Sequence, residues 1–170
     1  MANEWIKARQ TRYGAFVALY LIVILAIVIW TGFVKTSGNH LAPVGSIGKV
    51  RVVPVTDDVT LMVIDFNVKN DSDRDMIVRT IQADVDKSDG TSLTGSTVAA
   101  GDTVDAFHSY PALGEQYNPP IKERDTIPAH QAVDRMVGIR FDAPSADVES
   151  RRHVNLHLAD VTGPVAELTK

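Results

Sequence analysis

An uninterrupted run of uncharged residues near the N-terminus constrains this chain more than any other feature. Residues 13–34 contain no charged side chain, and thirteen of these 22 positions are Ile, Leu, Val or Phe. A helix of this length would span about 33 Å, and the hydrocarbon core of a bilayer is about 30 Å thick. The thirteen side chains would favour insertion by about 4–8 kcal/mol, with no charge to oppose it. The sequence therefore predicts one N-terminal transmembrane α-helix over 13–34.

Charged residues beside the span predict its orientation. Only Lys35 follows the span closely, whereas three cations precede it: Lys7, Arg9 and Arg12. Because Lys and Arg beside a span stay in the cytoplasm, we expect a cytoplasmic stub (1–12), with residues 35–170 on the periplasmic side of the inner membrane. Tyr13 and Trp30 are predicted to be interfacial membrane anchors. The alternative is a cleaved secretory signal, although the run exceeds the usual 7–15 residues and no small-x-small site follows it closely.

Small residues near the start of the span predict a second role for it. Gly14, Ala15 and Ala18 lie at helical spacing, and small residues allow helices to approach closely within a bilayer. We therefore predict that this patch packs against helices of other membrane-protein subunits. The alternative is a helix that faces lipid on all sides.

The part of the chain beyond the span is acidic and free of cysteine. Residues 35–170 carry a net charge of −6 and no cysteine. Phosphate binding needs clustered Lys and Arg, so nucleic acid is not expected as a partner. The same charge argues against docking onto anionic lipid head groups. After a linker over 35–46, residues 47–170 have the size of one domain, which packing alone must stabilise because no disulfide is available.

Alternation of apolar and polar residues after the linker predicts strands and no helix. Pro54 near the end of the first strand suits a sheet edge, and Asp89-Gly90 is a hairpin turn signal. The predicted strands are 49–55, 59–69, 76–87, 92–98, 103–107, 131–142 and 152–161. The side chains expected to face inward in the third strand are Ile77, Ile81, Ala83 and Val85. Short strands separated by turn signals favour a mainly β fold, an antiparallel β-sandwich.

Two segments carry a resemblance to a known family. FNVKNDSDRDMIVRTIQADVDKSDG and TIPAHQAVDRMVGIRFDAP resemble the immunoglobulin-like sandwich of bacterial single-pass membrane proteins and of late-embryogenesis-abundant type 2 domains. The shared outline is a V-x-N turn, a V-x-V-x-D-x-x-G strand ending, an I-x-P-G turn and a closing F-x-x-P. The resemblance covers about residues 47–161 and implies an immunoglobulin-like fold but no activity. At Ile127-Pro128-Ala129-His130 the glycine is missing, which predicts a turn without a positive φ.

Two polar clusters are candidates for metal binding, and neither pattern fits well. Asp71, Asp73 and Asp75 are spaced like the start of a calcium loop. However, Met76 and Gln82 occupy the positions at which such a loop needs glycine and a bidentate Glu. The pattern therefore favours a solvated hairpin turn.

Histidines supply the second cluster, and the rest of the sequence offers no catalytic motif. His153 and His157 alternate on the last predicted strand, where positions i and i+4 lie about 13 Å apart, too far for one metal ion. No nucleophile elbow, phosphate-binding glycine loop or metalloprotease helix is present. We therefore expect no catalytic residue, no metal ligand and no cofactor.

The segment 106–121, AFHSYPALGEQYNPPI, is too irregular for a strand and unusually rich in aromatic residues and proline. Exposed aromatic side chains often mark interfaces. The predicted partner contacts are Phe107, Tyr110, Tyr117, Pro119 and Pro120. The alternative is an Ω-loop that closes one end of the sandwich over its own core.

These features together predict a non-enzymatic accessory or scaffold subunit that stabilises a larger membrane-protein complex, with a photosynthetic or respiratory assembly as one candidate host. The first alternative is a membrane-anchored exterior module that binds an envelope polymer or a small ligand. A metal-dependent exterior enzyme is a third class, and it would need bound metal after purification.

Overall fold

The computed structural model describes Tyr20 and residues 22–26, 42–161, 163 and 165–170. The chain divides into two units, Met1–Asn39 and His40–Lys170. In the first unit the described residues are α-helical.

Most of the predicted span lies outside the described residues. The expected membrane anchors Tyr13 and Trp30 are among those not described, as are the expected helix-packing residues Gly14, Ala15 and Ala18. Within the described residues, no helix combines the length and the apolar character that crossing a membrane would require.

The described part of the second unit contains eight strands, two α-helices and one 3-10 helix. In chain order these are β1 (Val44–Thr56), β2 (Val59–Lys69), β3 (Met76–Lys87), β4 (Ser92–Thr97), α1 (Ala100–Ser109), the 3-10 helix (Pro111–Leu113), β5 (Thr126–Ile127), β6 (Ala132–Phe141), α2 (Ser145–Glu149), β7 (Arg151–Asp160) and β8 (Val165–Thr169).

The strands form an antiparallel sheet that folds over into two layers. The strand order is β1-β2-β6-β4-β3-β7-β8, with β5 paired to β3. The strand β4 belongs to both layers, because Ser92–Gly95 pairs with β3 and Ser96–Thr97 pairs with β6. One layer is thus β1, β2 and β6, and the other is β3, β7 and β8. The prediction of a mainly β, antiparallel β-sandwich is confirmed.

The main core lies between the two layers. The first layer contributes Met62 and Ile139, both fully buried, and the second contributes Val85, Leu156 and Leu158, equally buried. Apolar residues at every second position of each strand produce this arrangement, because side chains of a strand alternate between its faces. The predicted inward residues of the strands 131–142 and 152–161 are buried here, except Val133, which is half-buried.

Gly95 allows β4 to pass from one layer to the other. A Cβ at this position would lie 2.8 Å from Cζ of Phe141, closer than carbon atoms approach. Glycine therefore lets β4 bend directly over the core at the point where its pairing changes.

The sandwich has two ends, which we call the entry end and the far end. The entry end is where β1 begins at Val44, and it includes the connection 70–75, the turn 128–131 and the point where β7 leads into β8. The far end includes the β1–β2 turn at Asp57–Asp58, the β3–β4 turn at 88–91 and α2.

Three sequence expectations about secondary structure were wrong. The predicted strand 103–107 is helical and belongs to α1. The last predicted strand does not close the domain, because β8 follows and pairs with β7. The connection 70–75 is not a hairpin, since β2 pairs with β1 and β6 whereas β3 pairs with β4, β5 and β7. It instead carries the chain from one layer to the other. In addition, β1 begins at Val44, within the predicted linker.

Two predictions about individual residues also fail. Ile77 is 40% exposed rather than inward, because an irregularity between Val78 and Thr80 shifts the alternation of β3 by one residue. His130, in the turn without glycine, has φ of 58°. The turn therefore does use a positive φ, and a histidine tolerates it.

Candidate functional site

The outer face of β1, β2 and β6 is apolar and needs a cover. Val53, Leu61 and Val63 lie on this face with Met136, and all four are 6% exposed or less. Since apolar surface of this extent is rarely left in water, the segment that follows β4 packs over it. Ala106 and Leu113 complete this second, smaller core.

Helix α1 lies on β6 at a glycine. A Cβ at Gly138 would lie 2.5 Å from Oγ1 of Thr103, so only glycine permits this close approach of helix and strand. The Thr103 hydroxyl donates to the carbonyl of Ala99 at 2.9 Å and is thereby satisfied within the helix. Asp102 in the first turn and His108 in the last turn suit the partial charges of the helix ends.

After α1 the chain crosses the sandwich as an irregular segment, residues 110–121, which we call the strap. A buried ion pair fastens the middle of the strap. Arg51 and Asp65, whose side chains are 6% and 7% exposed, form a salt bridge through Nη2 and Oδ2. Arg51 also donates through Nη1 to the carbonyls of Leu113 at 3.0 Å and Glu115 at 2.8 Å.

Further contacts complete the attachment of the strap around this ion pair. The Asn118 side-chain amide donates to the other carboxylate oxygen of Asp65 at 3.0 Å. The Arg51 guanidinium lies 4.8 Å from the ring centroid of Phe107 and 5.5 Å from that of Tyr117. Cations over aromatic faces at such distances attract one another. Nε of Arg51 is buried and has no hydrogen-bond partner, so the guanidinium is held by its two terminal nitrogens.

The end of the strap joins the sheet. Pro120 forms a parallel bridge with Met136. The amide of Met136 donates to the carbonyl of Pro119 at 3.0 Å, and the amide of Ile121 donates to the carbonyl of Met136 at 2.8 Å. Residues 119–121 therefore run beside β6 through an isolated parallel bridge, and Ile121 is buried in the main core.

The structure brings all five predicted partner-contact residues to one side of the sandwich but exposes them unequally. Phe107 and Tyr110 are half-buried and pack against the second core, Pro120 is half-buried, and Pro119 is exposed. Tyr117 is 60% exposed, and Nζ of Lys49 lies 5.0 Å from its ring centroid. The inner part of the segment thus packs on its own domain, as the Ω-loop alternative expects, while Tyr117 is the aromatic residue left facing outward.

A groove runs beside the strap toward the far end. Its volume is about 440 Å³. Its apolar lining comes from the β1–β2 hairpin and α1, chiefly Val55, Val59 and Leu61. Asp102 and Arg140 are among its polar lining residues.

The acidic residues considered for calcium have separate partners. Asp71 pairs with Lys69 at 2.6 Å, Asp73 lies 3.0 Å from Nε2 of His130, and Asp75 accepts from the amide of Ala129. The three carboxylates are thus directed to a lysine, a histidine and a backbone amide.

The two strand histidines likewise lie apart from one another. Nε2 of His157 lies 3.3 Å from Asp84 and its Nδ1 lies 3.8 Å from Glu167, whereas His153 is exposed. Across the described ranges, no set of three or more His, Asp or Glu side chains is placed to hold a metal ion.

Two shifted pKa values lie at the far end. A hydrogen bond with Asp147 raises the pKa of Lys87 above its ordinary value and links β3 to α2 at 3.1 Å. The Thr91 hydroxyl and amide both donate to Asp89 and lower the pKa of that carboxyl. Both groups stabilise the corner of the sandwich and are not part of the strap surface.

Sequence reasoning missed the ion pair that positions the strap. A signal for it exists, because Leu61, Val63 and Asp65 occupy one face of β2, and a carboxylate that continues a buried apolar face requires a partner. Arg51 occupies the same face of β1, where it pairs with Val63, two residues before Asp65 on β2.

The sequence matches no established protein family and no curated protein. It is similar in structure to an uncharacterised β-sandwich protein from Clostridium difficile 630, with 15% sequence identity and a TM-score of 0.35, over 74% of this chain and 83% of that one.

Proposed function

We propose that this chain is a non-enzymatic, membrane-anchored accessory subunit of a larger membrane-protein complex, with its β-sandwich in the periplasm. The N-terminal apolar helix would anchor it and contact neighbouring subunits. The strap, centred on Tyr117, would bind a partner protein. We also propose that the sandwich is of the immunoglobulin-like type.

The exposed aromatic residue on a fixed strap is the observation that carries the proposal. Tyr117 is 60% exposed, yet the strap is fixed on both sides of it. Arg51 donates to the carbonyl of Glu115, and Asn118 donates to Asp65. Binding through a preordered segment avoids the cost of ordering it, and tyrosine is enriched among residues that dominate interface energies. The Tyr117 ring contacts Lys49 and Arg51 of its own domain, and the exposed remainder of its surface is free to contact a partner.

The described part of the N-terminal unit supports the anchor. Tyr20, Ile22 and Leu25 are helical and between 60% and 67% exposed, and Val23 and Ile24 are at least 40% exposed. Apolar side chains in successive positions of a helix cover more than one of its faces, and such a helix is stable only when lipid or another protein covers it.

Purification of the full chain from its own membranes in mild detergent tests the proposal. We expect wild-type protein to co-purify at a fixed ratio with large membrane proteins, and Tyr117→Ala to lose them while its circular dichroism spectrum is unchanged. His153→Ala is the matched control, because His153 is also an exposed ring-bearing side chain but lies on β7, outside the strap and the groove. Lys49→Glu changes the charge beside the Tyr117 ring and is the second variant, should Tyr117→Ala disturb the fold. Retention of the partners by both Tyr117→Ala and Lys49→Glu would contradict the proposal.

The groove favours a second function, an exterior binding module for an envelope polymer or small ligand. Its apolar lining beside charged groups is typical of small-molecule sites. In that case the purified chain would be a monomer that retains a bound molecule detectable by mass spectrometry. Val59→Trp would fill the groove and abolish that retention, and Tyr117→Ala would not.

A further inference from the structure

We propose that the entry end of the sandwich lies against the membrane surface and inserts apolar side chains into its interfacial region. The inference rests on the proposed function, because it requires the predicted anchor. It adds an orientation of the sandwich and a second contact surface that the anchor alone does not specify.

Exposed apolar side chains are concentrated at this end. Within residues 42–161, 163 and 165–170, six large hydrophobic side chains are exposed, and four of them lie at the entry end. These four are Val44 (54%), Ile77 (40%), Val161 (50%) and Val165 (43%). The amide of Val161 donates to the carbonyl of Ile77 at 3.0 Å, so these two residues are immediate neighbours. The remaining two, Val55 and Tyr117, lie elsewhere.

The short connection between the predicted span and β1 indicates that the bilayer is what covers the entry end. Nine residues separate Val34 from Val44, and they can reach at most about 32 Å when fully extended. The strand β1 is 13 residues long, which at about 3.3 Å per residue corresponds to about 40 Å. The entry end can therefore reach the bilayer surface, whereas the far end lies beyond the length of the connection.

The charges of this end indicate which kind of lipid contact is made. Three acidic residues, Asp71, Asp73 and Asp75, lie in the connection 70–75 with one exposed cation, Arg74. Lys69 and His130 face Asp71 and Asp73, and acidic groups remain in excess over Lys69 and Arg74. Acidic side chains here would repel an anionic surface. The contact is therefore apolar insertion into a neutral, zwitterionic interface, and we expect added anionic lipid to weaken it rather than strengthen it.

The cysteine-free chain allows a direct test with single-cysteine variants of the full protein. Val161→Cys and Val165→Cys place an environment-sensitive fluorophore at the entry end, and Val55→Cys places it at the far end as the control. Each variant is reconstituted into phosphatidylcholine vesicles that contain a spin-labelled lipid. We expect quenching at 161 and 165 to be several-fold stronger than at 55, with blue-shifted emission.

Three outcomes would overturn the proposal, and they are distinguishable. If alkaline carbonate removes the chain from the vesicles, the anchor is absent and the proposed function fails together with this inference. If the chain is retained but quenching at 161 equals quenching at 55, only the orientation is wrong. If the labels at 161 and 165 are blue-shifted in native membranes but not quenched by lipid, a protein covers this end instead.

Discussion

Removing the buried guanidinium that fastens the strap should destabilise the sandwich strongly. In Arg51→Met the Asp65 carboxylate, 7% exposed, is left without its countercharge. The carbonyl of Leu113 also loses its donor. Breaking a buried ion pair by removing one partner costs about 3–5 kcal/mol. Typical domains have free energies of unfolding of about 5–15 kcal/mol, so the variant would lose a large share of its stability. For a unit of this size, about 4 kcal/mol corresponds to a fall in Tm of about 15 °C.

The double variant Arg51→Met, Asp65→Leu separates the ion pair from the loss of packing. Because it leaves no buried charge, we expect it to recover about 1–2 kcal/mol relative to Arg51→Met, even though Leu113 and Asn118 still lack partners. Thermal and urea unfolding should be followed by far-ultraviolet circular dichroism, since both tryptophans, Trp5 and Trp30, precede the sandwich. A loss of less than about 1 kcal/mol in Arg51→Met, or a double variant less stable than the single one, would refute the reasoning.

Three smaller changes test other parts of the structure. Gly95→Ala should lower stability by about 1–3 kcal/mol, measured by urea unfolding, because its Cβ would lie 2.8 Å from Phe141. His130→Gly and His130→Val both lose the contact with Asp73, but φ is 58° at this position, so the glycine variant should be more stable than the valine variant by about 1–2 kcal/mol. Asp89→Ala should lower the Tm at pH 7. Since hydrogen bonds from Thr91 lower the pKa of Asp89, its contribution is complete above pH of about 4 and is lost as the pH falls through the folded-state pKa. The wild-type and Asp89→Ala melting curves should therefore converge in acid.

Strand alternation was sufficient to predict most of the fold. Val154, Leu156 and Leu158 are buried as their spacing predicted, and the turn at Asp89-Gly90 has a positive φ at Gly90. Both features depend only on local chemistry, namely the period of a strand and the freedom of glycine. The pairing of strands is different, because the connection 70–75 gives no local sign that it crosses between layers.

Helix α1 was missed because a helical period was present but short. Thr103, Ala106, Phe107 and Tyr110 follow the spacing of one helical face. Taken alone, the five residues 103–107 are also compatible with the apolar and polar alternation of a strand. The deciding factor is tertiary: the outer face of β2 and β6 must be covered, and Gly138 leaves room for a helix there. Local preference decides little in so short a segment.

The role of single residues in the strap was the least predictable part of the site. The sequence drew attention to the aromatic residues of 106–121, yet Phe107 and Tyr110 pack inward while Tyr117 faces outward. That division depends on Arg51 and Asp65, which are more than 40 residues away in the sequence from all three aromatic residues. A long-range ion pair has no periodic signature, and only its unusual position on an apolar strand face indicates it.

The bending of β4 over the core has a consequence for how the sandwich can come apart. The six residues of β4 form hydrogen-bonded ladders with strands of both layers. Gly95 is the last residue that pairs with β3, and the next residue, Ser96, pairs with β6. Neither layer can slide past the other without breaking the pairing of β4 with β3 or with β6. Local unfolding should therefore begin at β1 and β8, the two ends of the strand order. It should stop at β4, because the hydrogen bonds of β4 join the two layers.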